Sequence, residues 1–417
     1  MLYTARLDLR EQIDWLIPRL PDQREIVLRG EADYYGASAE IAAAVGLAEV
    51  PLASGTWLHG WTYLNPTMAE AMAGYKPSSR VHLMNKSVQQ DFLRDAGYPN
   101  AFAVGLPVLY AKSPDVERRP RSLLLAPFHS LPEVTPHEDQ KRNEEAFCEY
   151  ALGLRGQFDC ICACLHASCV KTGQWIETFE QRGIPWVTGA MTSDANALRR
   201  VRVLFASFES VLTNQLTSVV PYSAVNGAKV SIAGPTALFP PIESFAQHPY
   251  YQKHPELLKN FALRHPDRLK GLYPELFVEP SDAICPRDWA ESELGVPLMV
   301  RHEDVARLLG WRLVDGDPVW EGVDRRKAVS LFGWLPSSFR SLDTIEKVGQ
   351  LLDRDQVAPD TVIEHLKAQR EAAKKYEKVS KADSSAQVEL ERIKSSWAWR
   401  CIAKPLYAIE KRLRGKK

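Results

Sequence analysis

The chain contains no G-x-x-x-x-G-K-[ST], no G-x-G-x-x-G after its first strand-like run, no G-x-S-x-G and no H-E-x-x-H. These absences argue against a P-loop nucleotide hydrolase, a glycine-fingerprint dinucleotide enzyme, an α/β-hydrolase nucleophile elbow and a helical zinc protease. No run approaches the roughly 18 apolar residues of a spanning helix. Internal repeats and an acidic stripe are also missing. Cysteine is sparse, with seven in 417 residues. Cys160, Cys162 and Cys164 alternate along an apolar run, which predicts buried thiols on one strand face. Their C-x-C-x-C spacing lacks the two-residue gap with which a zinc knuckle turns the chain back, so no metal is expected. The odd count and the lack of a signal peptide fit a reducing cytoplasm.

Hydrophobic residues make up 45% of the chain and charged residues 25%, enough for a self-supporting core of two ordinary domains. The most informative stretch is 122–235. The apolar runs SLLLAPFHS (122–130), FDCICACLHASC (158–169), IPWVTGA (184–190), SVLTN (210–214) and KVSIAGP (229–235) alternate there with helix-like segments such as NALRRVRVLFASF (196–208) and TSVVPYSAVNG (217–227). That rhythm predicts a doubly wound parallel α/β sheet. Ligands of such sheets sit at the carboxyl ends of the strands, which here carry His129, His166, Ser168, Thr213, Asn214 and Gly234. The pattern points to a nucleotide or phosphate site.

The amino-terminal third predicts a second α/β unit. EIVLRGE (25–31) is expected as a strand ending in acids, SAEIAAAVGL (38–47) as a capped helix and RVHLMNK (80–86) as a strand. SVQQDFLRDAG (87–97) is expected as a helix and AFAVGLPVLY (101–110) as a further strand. The charged, Pro-broken 111–122 marks the boundary. The expected organisation is a Rossmann-like domain over 1–112, a second over 120–345, a helical stalk over 359–394 and a basic amphipathic tail over 395–417.

The formal net charge is zero, but residues 392–417 hold nine Lys or Arg against the single acid Glu410, interleaved with Trp397, Trp399, Tyr407 and Leu413. That composition suits an anionic membrane interface. The thin apolar seam of 359–394 is suited to holding the globular part against a membrane or a partner helix. Nothing outside the tail suggests a basic nucleic-acid surface.

The succession AVGLPVLY, LLLAPFHS, CLHASCVKTGQW, GIPWVTGAMTSDANALRR, LFASFESVLTNQLTS and NGAKVSIAGP resembles bacterial glycosyltransferases with two Rossmann-like domains, the GT-B architecture, of the kind found in O-antigen and capsule clusters. LERIKSSWAWRCIAKPL (390–406) is similar to the S-x-S-W-R-x-x-x-P-L ending of many surface-polysaccharide glycosyltransferases. The resemblance implies two Rossmann-like domains facing a cleft, a nucleotide-sugar donor, a polysaccharide or lipid-linked acceptor, and peripheral attachment to the cytoplasmic face of the inner membrane. It implies donor contact by Thr213, Asn214, Thr217 and Ser218 in TNQLTS, with Lys229 and Gly234 nearby; relatives carry Gly at the position of Thr217. His166 stands where sialyltransferase-like and Kdo-transferase-like enzymes carry a His-Pro pair on the donor phosphate, with Ala167 in place of Pro. That likeness makes a CMP-sugar the favoured donor, with Ser168 assisting and His129 as a parallel candidate one strand earlier. A base for the acceptor hydroxyl is expected among Glu31, Asp33 and His59, the acids ahead of the imidazole. The alternatives are another polysaccharide-modifying transferase on the same architecture, such as a pyruvyltransferase, and a non-catalytic scaffold of the assembly complex.

Overall fold

A computed structural model describes residues 4–311, except 52, 54, 64–67, 77, 79, 130–135, 249–250, 253, 256 and 259–264. The expected stalk (359–394) and tail (395–417) lie outside the described residues, as does the end of the second expected domain. Among the described residues, no helix is long and apolar enough to cross a membrane.

The protein is mixed α/β with two parallel sheets. The larger has five strands, β4 (Arg119–Leu125), β5 (Cys160–Leu165), β6 (Trp186–Thr188), β7 (Phe208–Thr213) and β8 (Lys229–Ile232). They lie side by side as β6-β5-β4-β7-β8, all parallel. Counted in chain order this is 3-2-1-4-5, the doubly wound order in which the chain reverses direction of build beside its first strand. Continuous apolar runs are needed because helices cover both faces of such a sheet. Leu123, Leu124 and Leu125 of β4 are completely buried, as are Cys162 and Ala163 of β5. One face packs on Phe147, Trp175 and Phe179, which form an aromatic run with ring centroids 5.6 Å apart at each step.

The predicted buried thiol face holds for two of its three cysteines, Cys164 being half-buried and lining a cavity at the end of the strand. Cys160 and Cys162 are buried, and burial pushes the Cys164 thiol up to about 12. The second sheet joins β1 (Thr56–Trp57), β2 (His82–Met84) and β3 (Ala101–Ala103), again parallel and in that order. Its strands are two or three residues long, and side chains complete their bonding: the Gln90 amide oxygen accepts from Ala103 N at 2.8 Å, and the Trp57 indole donates to Gly105 O at 2.9 Å.

Two sequence expectations need correction here. Residues 25–31 are not a strand: Glu25 makes a single antiparallel bridge to Asp194, and Glu31–Gly36 is a 3₁₀ segment. The apolar 101–110 run is strand only over Ala101–Ala103 and turns at Pro107 into a 3₁₀ segment.

Compactness also cuts the chain elsewhere than at 111–122. Met1–Glu40, Leu58–Asn65 and Leu106–Pro297 form one unit with the five-stranded sheet; Ile41–Trp57, Pro66–Gly105 and 298–311 cluster separately with the three-stranded one. The physical reason for the first grouping is hydrogen bonding. Thr4 bridges Val187 on the outer edge of β6, Ala5 N donates to Trp186 O at 3.0 Å, and the buried Arg200 guanidinium donates to both Thr188 O and Pro21 O at 2.7 Å.

Candidate functional site

At the carboxyl ends of β4 and β5, beside the reversal point of the sheet, lies a cavity of about 280 Å³. Its polar rim comprises Tyr35, His59, His129, His166, Thr217 and Ser218, and its walls include Phe128, Leu198, Val201, Phe205 and Val219. All of these belong to the unit built on the five-stranded sheet. Among the described residues the lining holds no Lys, Arg, Asp or Glu.

His166 is the most constrained group. It follows β5 directly and caps the short helix Ala167–Thr172: its Nδ1 accepts from Ser168 N at 3.2 Å and lies 2.8 Å from Ser168 Oγ. A backbone N–H can only donate, so Nδ1 must carry the lone pair and Nε2 the proton. Burial, with a smaller contribution from His129, lowers the His166 pKa to about 3, so the ring is neutral at physiological pH. Its Nε2–H is buried without a hydrogen-bond partner among the described residues. The His129 ring lies 4.7 Å from His166 between centroids and stacks on Phe128 at 5.2 Å.

His59 comes from the loop after β1 and is anchored to the helix Val219–Val225. Tyr222 Oη donates to His59 O at 3.1 Å, and Ser218 Oγ accepts from Trp61 N at 2.9 Å. Trp61 is held in turn by its indole N–H to Glu293 at 2.7 Å. Tyr34 and Tyr35 flank the His59 ring at 5.1 and 5.6 Å. Burial lowers the His59 pKa, leaving a neutral imidazole able to accept a proton.

The remaining expected residues are placed as follows. Thr217 and Ser218 line the cavity, although Thr217 Oγ1 also accepts from Val219 N at 3.3 Å and Ser218 is engaged with Trp61. Ser168 lies behind His166. Thr213 is fully buried and bonds Gln215 O, while Asn214 Oδ1 accepts from Phe128 N at 2.8 Å and fastens the end of β4 to that of β7. Gly234 packs on the Tyr150 ring. Lys229 begins β8, at the opposite end of the sheet, and pairs with Glu209 at 3.0 Å.

The acids are not at a strand end. Asp33 is buried and accepts from Arg29 N at 2.9 Å and Ser38 Oγ at 2.5 Å, so its carboxylate is committed to the local turn. Neither Asp33 nor Glu31 lines the cavity.

Sequence reading missed Tyr35, Tyr222 and Phe128. Tyr35 reaches the cavity from a left-handed backbone (φ 59°), followed by Gly36 at φ 78°. The Tyr-Tyr-Gly triplet 34–36 was the available signal. Two D-x-D triplets, at 315–317 and 353–355, lie outside the described residues. Compared with known proteins, the chain matches no family model and is similar to no curated protein.

Proposed function

We propose that the protein is a glycosyltransferase of the GT-B kind, in which the cavity at the carboxyl ends of β4 and β5 takes the nucleotide part of an activated sugar. The observation that carries this reading is the cavity's position at the reversal point of a 3-2-1-4-5 parallel sheet, where such folds bind nucleotides, with three imidazoles on its wall. His59 is the general base: it is neutral, lines the cavity and is held by Tyr222, whereas Asp33 is tied into its own turn. It removes the proton of the acceptor hydroxyl as that oxygen attacks the anomeric carbon and the nucleotide leaves. A surface polysaccharide or its lipid-linked precursor is the acceptor, met at the inner membrane face through the basic segment 392–417.

The test is a donor screen by calorimetry with UDP-, GDP-, dTDP- and CMP-sugars, followed by transfer assays on H59A. Donor binding with turnover reduced about a hundredfold in H59A is expected. Absence of binding by all four donor classes overturns the proposal, and full turnover in H59A removes His59 from the role. Co-sedimentation with anionic vesicles at low salt, lost on deleting 392–417, checks the membrane assignment.

A further inference from the structure

A second aromatic cluster is fastened to the cavity wall without belonging to the lining. Trp61, from the loop that carries His59, is buried; its ring lies 5.8 Å from that of Tyr63 and 5.6 Å from that of Trp289, and Trp289 lies 5.9 Å from Tyr273. Three distant stretches of chain meet here: the loop after β1, the end of the helix Pro266–Leu272 and the helix Arg287–Leu294. All four rings belong to the unit built on the five-stranded sheet, and none of them lines the cavity. The link between the two is the Trp61 backbone N–H, which donates to Ser218 Oγ at 2.9 Å. Tyr63, Tyr273 and Trp289 are half-buried, so each shows part of its ring to solvent.

Carboxylates accompany the rings. Glu293 stands one turn after Trp289 on the same face of its helix and accepts from the Trp61 indole N–H at 2.7 Å. Glu275 follows Tyr273 by two residues and is exposed. Both acids act on the Tyr273 hydroxyl, whose pKa is raised by burial first and then by Glu293 and Glu275. On the helix of Trp289 the one guanidinium, Arg287, is paired with Glu291 at 2.8 Å.

The chemistry of this surface narrows its occupant. A phosphate or an acidic sugar is repelled by the two carboxylates. A compact cation finds no space between the rings, because neighbours are already in edge-to-face contact, with interplanar angles of 76° and 67°. A purely apolar partner would strip water from the carboxylates and give nothing in return. A neutral sugar meets both demands: its C–H face lies on a ring, and its hydroxyls donate to ionised carboxylates, which are strong acceptors.

We propose that Tyr63, Trp289 and Tyr273, with Glu293 and Glu275, form a surface site for a neutral glycan chain, which holds the polymer beside the cavity and away from the reacting sugar. That this glycan is the acceptor polysaccharide rests on the glycosyltransferase reading; the binding site itself does not.

The experiment is titration calorimetry of the full chain, with tryptophan fluorescence as a second readout, using maltohexaose, cellohexaose, laminarihexaose, glucose, hexagalacturonate and choline. At least one neutral hexasaccharide is expected to bind about tenfold or more tighter than glucose, with little dependence on salt because no charge pairing is involved. Tyr273→Ala and Trp289→Ala should each weaken that binding about tenfold or more, whereas Trp289→Phe, which keeps a ring and controls for loss of fold, should keep most of it. Preference for hexagalacturonate or choline, full affinity in Tyr273→Ala or Trp289→Ala, or no binding by any of the three neutral hexasaccharides overturns the site. Each of those results leaves the glycosyltransferase proposal to its donor screen. Glycan binding that depends on Trp289 and Tyr273, without donor binding or transfer, would keep the site and overturn that proposal.

Discussion

The two ends of the five-stranded sheet solve the problem of polar groups in opposite ways. At the amino end, charges answer one another. Glu209 accepts from Lys229 Nζ at 3.0 Å and Arg121 N at 2.6 Å, the Arg121 guanidinium pairs with Asp159 at 2.9 Å, and Arg119 lies over the Trp15 ring at 4.8 Å. Arg118 donates to the carbonyls of Phe208 and Asn226. At the carboxyl end the lining has no formal charge beyond what its imidazoles could carry, and it leaves a buried N–H of His166 without a partner. Closed ion pairs at a partly exposed edge contribute little to stability individually, whereas a buried donor left without a partner is costly. The contrast teaches that the density of charge is no guide to where this sheet opens into a cavity.

The contrast should break most sharply at Gly36. This residue lies against the Ala195 backbone at φ 78°, and the preceding Tyr35 N donates to Thr192 O at 2.8 Å, so the pair docks the 31–36 turn and brings Tyr35 to the cavity. A Cβ at Gly36 would collide with the Ala195 backbone and be strained by the left-handed φ. Gly36→Ala should therefore cost about 3 kcal/mol or more in denaturant unfolding and abolish ligand binding at the cavity. A stability change below about 1 kcal/mol would show that the 31–36 turn is not docked as described.

Asn214→Ala is the next effect. Its carboxamide oxygen is the acceptor for Phe128 N across the tips of β4 and β7, and the site is buried. Leaving that N–H unsatisfied should cost about 1–3 kcal/mol, while Asn214→Asp, which keeps an acceptor, should cost less. Urea unfolding of both variants measures the difference. An equal loss in the two would indicate that the hydrogen bond is not what Asn214 contributes.

How much of this was legible beforehand follows from the range of the interactions. All five strands of the larger sheet were readable because double burial demands continuous apolar runs, and His129 and His166 because strand ends can be located from those runs. The cavity's other wall was not. Tyr35 enters through a 3₁₀ turn whose apolar-acidic approach, EIVLRGE, imitates a strand, and the turn is fixed by Thr192 O, which accepts from Tyr35 N, and by the Ala195 backbone against Gly36, more than 150 residues away in the chain. The setting of Asp33 is hidden for the same reason, since a turn rather than a strand makes it the acceptor for Arg29 and Ser38. Polarity alone does not locate Lys229: as the residue that opens a parallel strand it stands at the end of the sheet away from the cavity.

A smaller effect separates the two ends by pH. In the folded protein His166 titrates near 3, whereas its ordinary value is 6.5. The depressed value means that burial favours the neutral ring. Its contribution is therefore fully present above about 6.5, and it is lost progressively between about 6.5 and 3 as the unfolded chain takes up a proton that the folded one refuses. The slope from this one group is at most about 1.4 kcal/mol per pH unit. Unfolding free energies measured from pH 7 downward should show it, and H166Q should flatten it. A slope unchanged in H166Q would mean that His166 is not held neutral.

The smallest effect belongs to the amino end. The Glu209 carboxyl is held below its usual range near 4.5, chiefly by the hydrogen bond from Lys229 and next by the Arg121 N–H. Because the folded value is the depressed one, the contribution exists above the unfolded value and disappears as pH falls through the folded one, a window that opens lower than that of His166 and overlaps its acid part. The pair is partly exposed, with about half of the Lys229 side chain in solvent. Solvent and salt therefore screen it, and Glu209→Gln should cost no more than about 1 kcal/mol, falling toward zero at high salt. Gln still offers an oxygen to Arg121 N, so the ladder between β4 and β7 should persist. Unfolding at low and high salt decides the matter: a loss well above 1 kcal/mol that is indifferent to salt would mean that this end, too, depends on a desolvated charge, and the distinction between the two ends of the sheet would fail.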